Sequence, residues 1–378
     1  MKVLFPFVGD SVGGSHRSIL ELYDALKNDS GVSFVFVLHE VGPLSDLLDS
    51  LNIQYEYIFI KRLAGESPNL LKIIFSVILS FFKLSGFIRK NKIDIVHGND
   101  LRINLTWSLP TRLSGAFYIW HQRSVMSPSV LWKASILLAD HFVAISTYVY
   151  QSLPSNIPKS KKTLILNPFN IGNTYDKEVS RKWVNKHYNI PKNYILLGYV
   201  GRLVDWKNVD FLINCFMRYA NHSNLQLHLV IVGSGDGEYT DSLRRQVKKL
   251  GIKDIVTFTG FSFEPNRLIS ALDLMVAPSN QEPFGRTLIE AMIQKTPVLA
   301  ARGGGHSEII DNGVTGRLYD HNNIDNFIIQ CDKCINDSKS TYKIINNANT
   351  VANLKYSSHR HAESIVQVYL QLYSAPTI

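Results

Sequence analysis

Cysteine is scarce: three in 378 residues, Cys215, Cys331 and Cys334. Three thiols cannot build a disulfide framework, and a reduced, cytosolic compartment is the expectation that follows. Charge is modest at 19%, against 45% apolar residues, which excludes a largely disordered chain. No apolar run reaches the roughly 20 residues that a membrane-spanning helix needs. The longest candidate, Leu70–Lys90, is broken by Lys72 and Lys83 with ten uncharged residues between them, so a transmembrane helix is rejected. The first residues, Met1 to Gly9, carry one charge and a short apolar stretch broken by Pro6. They lack the apolar length and small-residue cleavage site of an export signal and read as a buried first strand. Also missing are GxGxxG, GxxxxGK[ST], zinc-finger spacing, an RNP-like aromatic motif and a basic tail, which disfavours nucleic acid as a partner.

Acids are the minority charge, 31 against 40 bases, for a net +9. Such a balance points to an anionic partner. The excess is regional. Between Lys61 and Lys133 lie eleven Lys or Arg and three acids, Glu66, Asp94 and Asp100. Leu70–Lys90 falls inside that region, and two readings stay open. It is a buried helix with a basic end, or a basic, apolar helix lying on an anionic leaflet.

The length suggests two domains. In the first half, short apolar runs (Val3–Val8, Val32–Leu38, Ile53–Ile60, Asp94–His97, Ala116–Trp120, His141–Ile145, Leu164–Leu166) alternate with helical patterns (Ser15–Lys27, Leu44–Leu51, Pro68–Asn91, Leu101–Leu113). That alternation predicts a parallel sheet covered by helices on both faces. The apolar pattern weakens over Asn173–Lys192, which is taken as the boundary, and restarts from Tyr194 to Ala300. The expected architecture is α/β, with two Rossmann-like, doubly wound domains facing each other across a cleft. Residues 1–175 form the first domain, joined by the C-terminal helix 357–378, and residues 193–356 form the second. Ligands of such sheets bind at the carboxyl ends of the strands.

Glu282 and Glu290, with seven residues between them, follow one apolar strand. Pro283 and Gly285 do not fit one continuous helix, so Glu282 belongs to a loop and Glu290 to the helix after it. Both carboxylates can then line one site, with the amides near Phe284–Thr287 presented from a helix N-terminus that attracts phosphate. After the strand Tyr194–Val200 come Arg202 and Lys207, two cations suited to a diphosphate leaving group; alone they would read as a solvated basic turn. Gly13, Gly14 and Ser15 sit between the first strand and first helix, where Ser15 could cap the helix and Gly14 could admit a ligand to the backbone. Cys331 and Cys334 are at best half a zinc site, and paired helical thiols are the better reading.

Together these residues resemble the family 4 glycosyltransferases, retaining nucleotide-sugar enzymes of the GT-B fold, of the type found in bacterial polysaccharide assembly. The match runs from Gly13 and Gly14 to about Leu318. It includes Gly201, Arg202 and Lys207; Gly233; Gly260; Glu282-Pro-Phe-Gly-x4-Glu290; and the Pro297–Gly316 tail. One departure is Lys295-Thr296 before Pro297, where the family has a small residue. The resemblance implies that Glu290 binds the donor ribose, that Glu282 lies on the donor sugar, and that the Phe284 and Gly285 amides hold the sugar or diphosphate. It implies that Arg202 and Lys207 hold the diphosphate, that Gly260 and Phe261 lie beside the base, and that Gly14 closes over the phosphates. His121, at a strand end where the family often has a cleft histidine, becomes a sugar contact. On its own it would read as a structural hydrogen-bonder.

The resemblance further implies transfer of a sugar from a nucleoside diphosphate, UDP preferred and GDP possible, to an acceptor hydroxyl with retained configuration. No metal and no separate cofactor are expected. The basic segment favours a lipid-linked oligosaccharide acceptor, as in O-antigen or capsule synthesis, with the protein peripheral on the inner face of the membrane. Two other classes remain: a dinucleotide-dependent oxidoreductase, and a non-catalytic sugar- or lipid-binding relative.

Overall fold

The computed structural model describes residues 1–28, 31–60, 70–126, 130–235 and 237–374, without the side chains of 70–79 and 130–132. The chain forms two units, Met1–Pro168 with Ser358–Ile378, and Phe169–Ser357.

The first unit is built on seven parallel strands: β1 (Lys2–Phe7), β2 (Ser33–Leu38), β3 (Glu56–Tyr57), β4 (Ile95–Gly98), β5 (Phe117–Gln122), β6 (His141–Ala144) and β7 (Lys162–Leu164). Their order is β3-β2-β1-β4-β5-β6-β7, so the winding reverses between β1 and β4. The helices are α1 (Gly14–Leu26), α2 (Pro43–Ser50), α3 (Leu70–Lys90), α4 (Leu101–Ser114), α5 (Val130–Leu137) and α6 (Thr147–Ser152). The central strands are buried on both faces, which is why they read as unbroken apolar runs. The final helix, Ser358–Tyr373, buries Ile365, Val368, Tyr369 and Leu372 in the same core as Ile19, Leu22 and Leu26 of α1.

Two local expectations fail here. The run Ile53–Ile60 yields only the two-residue β3, because it lies at the sheet edge with Tyr57 and Phe59 exposed. Ser15 does not cap α1. The N-cap is Gly13, and its N–H donates to His16 Nδ1 at 2.9 Å, so the cap is closed from the third residue inside the helix and not by a side chain at its start.

The second unit has six parallel strands: β8 (Ile195–Val200), β9 (Leu227–Val232), β10 (Val256–Gly260), β11 (Leu274–Ala277), β12 (Val298–Ala301) and β13 (Arg317–Tyr319). The order β10-β9-β8-β11-β12-β13 reverses between β8 and β11. Its helices are α7 (Lys177–His187), α8 (Val209–His222), α9 (Gly237–Lys249), α10 (Pro265–Ala271), α11 (Arg286–Ile293), α12 (His306–Ile309), α13 (Ile324–Asn336) and α14 (Ser338–Lys355). The stretch 173–192, read as a boundary, contains α7 and belongs to this unit. Polar anchoring hides it from an apolar reading. Asp176 accepts from the Val179 N–H at 2.8 Å, while Arg181 Nη1 donates to the Ala271 carbonyl at 2.7 Å and pairs with Asp273 at 2.9 Å. Cys331 and Cys334 are buried in α13 as free thiols, and burial pushes both upward, so they stay protonated.

Buried histidines join elements in both units. Trp107 Nε1–H donates to His39 Nε2 at 2.9 Å, so His39 must be neutral. Burial brings His39, His141 and His228 down to about 4 from an ordinary 6.5. A folded value below the unfolded one means their stabilisation is complete above pH 6.5 and lost as pH falls towards 4. Thermal melts are expected to be level between pH 7 and 8 and to drop steadily from pH 6.5 to 4.5. His39→Gln, whose amide oxygen accepts the same indole bond, is expected to show a shallower drop. A level melting temperature down to pH 5 contradicts the assignment.

Candidate functional site

The sequence-predicted residues of the second unit all fall at the carboxyl ends of its strands. Arg202 and Lys207 follow β8, Gly260 ends β10 with Phe261 just after it, and Glu282 to Glu290 follow β11. β8 and β11 are the neighbours between which the winding reverses, where loops diverge and leave room for a ligand. The loops after β8, β9 and β10 are laced together by backbone: Gly201 N–H to Val232 carbonyl at 3.0 Å, Leu203 N–H to Ser234 carbonyl at 3.0 Å and Gly233 N–H to Gly260 carbonyl at 2.9 Å.

Across the reversal, Lys207 Nζ donates to Glu282 Oε2, each side chain being 16% exposed. The ammonium also lies over the Trp206 ring, 4.1 Å from its centroid. Lys207 is thus held by a carboxylate and an aromatic face, a strong arrangement for a partly desolvated cation. Arg202 is exposed on the same loop. The buried phenol of Tyr199 donates to the Arg202 carbonyl at 2.8 Å. Burial first, then the Glu282 charge, pushes that phenol well above its ordinary range, while the Arg202 charge acts the other way.

Gly285, with φ of +106°, turns the loop into α11 as its N-cap. Glu290 lies one turn inside, its Oε1 3.8 Å from Arg286 Nε. The Phe284 side chain points away from this edge, buried against Phe169 and Tyr356 with ring centroids 6.3 and 6.0 Å distant. Only its backbone is available to a ligand. Phe261 is 59% exposed and meets Phe263 edge to face at 4.9 Å.

Sequence reasoning missed how the loop is held. Behind it runs Gly303-Gly304-Gly305. A Cβ on these would sit 2.4 Å from the Asn280 carbonyl oxygen, 2.6 Å from that of Glu282 and 2.3 Å from that of Phe284. The Gly305 N–H donates to the Glu282 carbonyl at 2.8 Å. Beneath lies buried His306, brought down to about 4 by burial, against which the nearby Glu282 charge acts only partly. The glycine run was visible in the sequence; the backbone it accommodates was not.

His121 and Gly14 lie in the first unit. Gly14 opens α1 after β1. His121, near the end of β5, is fully buried, with Nδ1 3.0 Å from His97 Nε2 and 3.3 Å from Arg123 Nη2. His97 Nδ1 in turn meets the Tyr369 hydroxyl at 2.7 Å, tying the C-terminal helix to the sheet. Burial and the Arg123 charge hold His121 well below its usual range, so it is neutral. These contacts occupy Nδ1, while the buried Nε2 has no hydrogen-bond partner among the described residues. Among the described residues, no group of three or more His, Cys, Asp or Glu could hold a metal ion.

Residues 181–351 match the family model described as glycosyl transferases group 1. An uncharacterized glycosyltransferase of Methanocaldococcus jannaschii is 31% identical over 57% of this chain and 55% of its own length. The UDP-Gal:alpha-D-GlcNAc-diphosphoundecaprenol alpha-1,3-galactosyltransferase of Escherichia coli is 25% identical over 90% of this chain and 91% of its own. Anabaena HepE, crystallised in complex with UDP and glucose, superposes with a TM-score of 0.84 at 21% identity, covering 98% of this chain and 99% of that one. Against the first curated relatives, the match spans about half their length.

Gly305 has an ordinary helical backbone, φ of −63°, so a methyl there is excluded by contact with the Phe284 backbone and not by its own conformation. Gly305→Ala is expected to cost about 1–3 kcal/mol, the usual penalty of overpacking, read as a lower denaturation midpoint in urea. An unchanged midpoint would show that the loop moves freely.

Proposed function

We propose, for a chain whose second unit belongs to the glycosyl transferases of group 1 and whose fold is GT-B, that it moves a sugar from a nucleoside diphosphate to an acceptor hydroxyl with retained configuration. The observation that carries this reading is the Lys207–Glu282 pair at the reversal of the second sheet, with Glu290 one helical turn beyond. In this reading the diphosphate takes Lys207 and Arg202, the start of α11 adds its positive end, Glu282 is released to the donor sugar hydroxyls, and Glu290 accepts from the ribose. The Phe284 and Gly285 amides hold the sugar or diphosphate, and Gly260 and Phe261 flank the base. Gly14 closes over the phosphates, and His121 contacts the sugar.

The bond from the anomeric carbon to the phosphate oxygen breaks as the acceptor oxygen bonds to the same face. The departing oxygen takes the acceptor proton, so a glycoside and a nucleoside diphosphate leave with no proton unaccounted for. Rate comes from holding donor and acceptor together and from stabilising charge on the leaving group. Because Lys207 and Arg202 supply that charge, the step calls for no metal. UDP-sugars are the preferred donors, with GDP-sugars next; Anabaena HepE in complex with UDP and glucose supports the first choice.

The acceptor in this reading is a lipid-linked glycan of surface-polysaccharide synthesis, supported by the Escherichia coli relative that acts on a diphosphoundecaprenol substrate. The membrane is met from its cytoplasmic side by the face around α3. No described helix is long and apolar enough to cross a membrane. Phe59 and Phe82 are 61% and 75% exposed there, and Lys83 Nζ donates to the Phe59 carbonyl at 3.4 Å. Arg89 Nη2 donates to the Leu113 carbonyl at 2.7 Å, beside the exposed Leu113 side chain. Apolar rings set among cations suit an anionic leaflet. Lys61, Arg62 and the side chain of Lys72, part of the same basic segment, lie outside the described residues.

A thermal-shift panel of nucleoside diphosphates and their sugars tests the donor, since a ligand of the native state raises the melting point. Glu290→Ala is expected to weaken donor binding, and Lys207→Ala to lower turnover by about 100-fold. Retained transfer in a Glu282→Ala, Lys207→Ala double variant rejects the site. Donor hydrolysis without acceptor separates an enzyme from a binder, and a nicotinamide absorbance change would favour an oxidoreductase. Neutralising Lys83, Arg89 and Lys90 is expected to reduce sedimentation with phosphatidylglycerol vesicles; equal sedimentation removes the membrane proposal and leaves the donor site standing.

A further inference from the structure

Arg286 is the first residue of α11, and Glu290 stands one turn further on. That order is the poorer one for a helix. A cation in the first turn opposes the helix dipole, and an Arg-to-Glu pair stabilises less than the reverse. Helix stability therefore does not account for Arg286, nor does solvation, because its side chain is only 15% exposed. Its guanidinium carbon instead lies 4.2 Å from the centroid of the Phe169 ring.

Phe169 is where the chain enters the second unit, and Ser357 is where it leaves. The two positions pair as a parallel bridge, and the Phe169 N–H donates to the Tyr356 carbonyl at 2.9 Å. The Phe169 ring stacks on Phe284, and both rings meet the Tyr356 ring edge to face at about 6 Å, with all three buried. The crossing segments, the residue before the Gly285 turn and Arg286 thus form one packed cluster.

We infer that Arg286 is a positioning residue for Glu290, anchored on the aromatic cluster at which the chain crosses between its two units; this rests on the donor reading above. The Nε to Oε1 separation of 3.8 Å is an ion-pair distance and too long for a hydrogen bond. The guanidinium therefore fixes the direction of the carboxylate by charge and leaves its lone pairs for ligand hydroxyls. Because Phe169, whose ring holds Arg286, is itself tied by its bridge to Ser357, a shift of that segment reaches the ribose-binding carboxylate through two contacts.

The test uses the full chain and whichever of UDP or GDP it binds, beside the 2′,3′-dideoxy form of that nucleotide, by titration calorimetry. The unsubstituted protein is expected to prefer the ribonucleotide by tenfold or more. Arg286→Met, which keeps the aliphatic stem on Phe169, is expected to lose most of that preference while binding the dideoxy form within about twofold of the parent. Phe169→Leu is expected to do the same, and Phe169→Tyr to retain the preference. Should Arg286→Met fail to fold, the two Phe169 variants carry the test. Full ribose preference in Arg286→Met or Phe169→Leu, or an equal loss for both nucleotides, overturns the inference and leaves the donor reading intact. Failure of the unsubstituted protein to bind either nucleoside diphosphate overturns the donor reading and this inference with it.

Discussion

The second unit depends on a reversal of winding. Between β8 and β11 two parallel strands lie side by side while the connections that leave them run to opposite sides, and no helix can cover the gap where they part. The sequence fills that gap with opposite charges, Lys207 from one loop and Glu282 from the other. A largely desolvated ion pair gains less than its Coulomb attraction suggests, because both groups give up hydration. It is therefore a contact a ligand can exchange at small cost. In the proposed reading a diphosphate gives Lys207 a second partner, and sugar hydroxyls give Glu282 its own, so the pair keeps the empty site in the geometry that the filled one needs.

An exchangeable pair positions nothing unless its backbone is fixed. Gly303 to Gly305 let the strand-end loop after β12 lie directly against the carbonyls of residues 280–284, and the Gly305 N–H holds the Glu282 carbonyl. From the other side, Phe284 is packed on Phe169 and Tyr356. The loop is thus clamped between backbone on one face and aromatic rings on the other. Its charged side chains are the part left free to respond.

How much of this was legible in the sequence follows from which interactions leave a periodic trace. Buried parallel strands do, and most of the elements expected from apolar runs are present within a few residues. The helix α7 left none, because it is held by Asp176 and Arg181 rather than by an apolar stripe. The cap of α1 was misread for a related reason: it is closed from within the helix by His16, which accepts from the Gly13 N–H, and a histidine there leaves no periodic trace. Within the site, spacing and turn residues put Glu282 in a loop and Glu290 in a helix, and the structure has them so. The destination of the Phe284 ring, the face that Trp206 offers Lys207 and the partner of Arg286 all depend on contacts between segments far apart in the chain.

The two units also differ in what fixes residue identity. The family model covers 181–351 and stops short of the first unit. In the second unit the key positions are constrained by backbone meeting backbone: a side chain at Gly233 would place its Cβ 1.8 Å from the Gly201 carbonyl oxygen. Such contacts tolerate one residue type, so they survive as a readable pattern. The first unit has one such contact after β1, where a Cβ on Gly9 would sit 2.1 Å from the Glu40 carbonyl oxygen, but the carboxyl ends of β1, β4 and β5 are also tied by side chains: Arg102 with Asp10 at 2.7 Å, Arg123 with Asn99 at 2.7 Å, and His97 with His121 and Tyr369. Many other sets of polar side chains could satisfy one another in the same places. A unit built that way can change what it recognises without changing its fold, which in the proposed reading suits a half that meets varied acceptors.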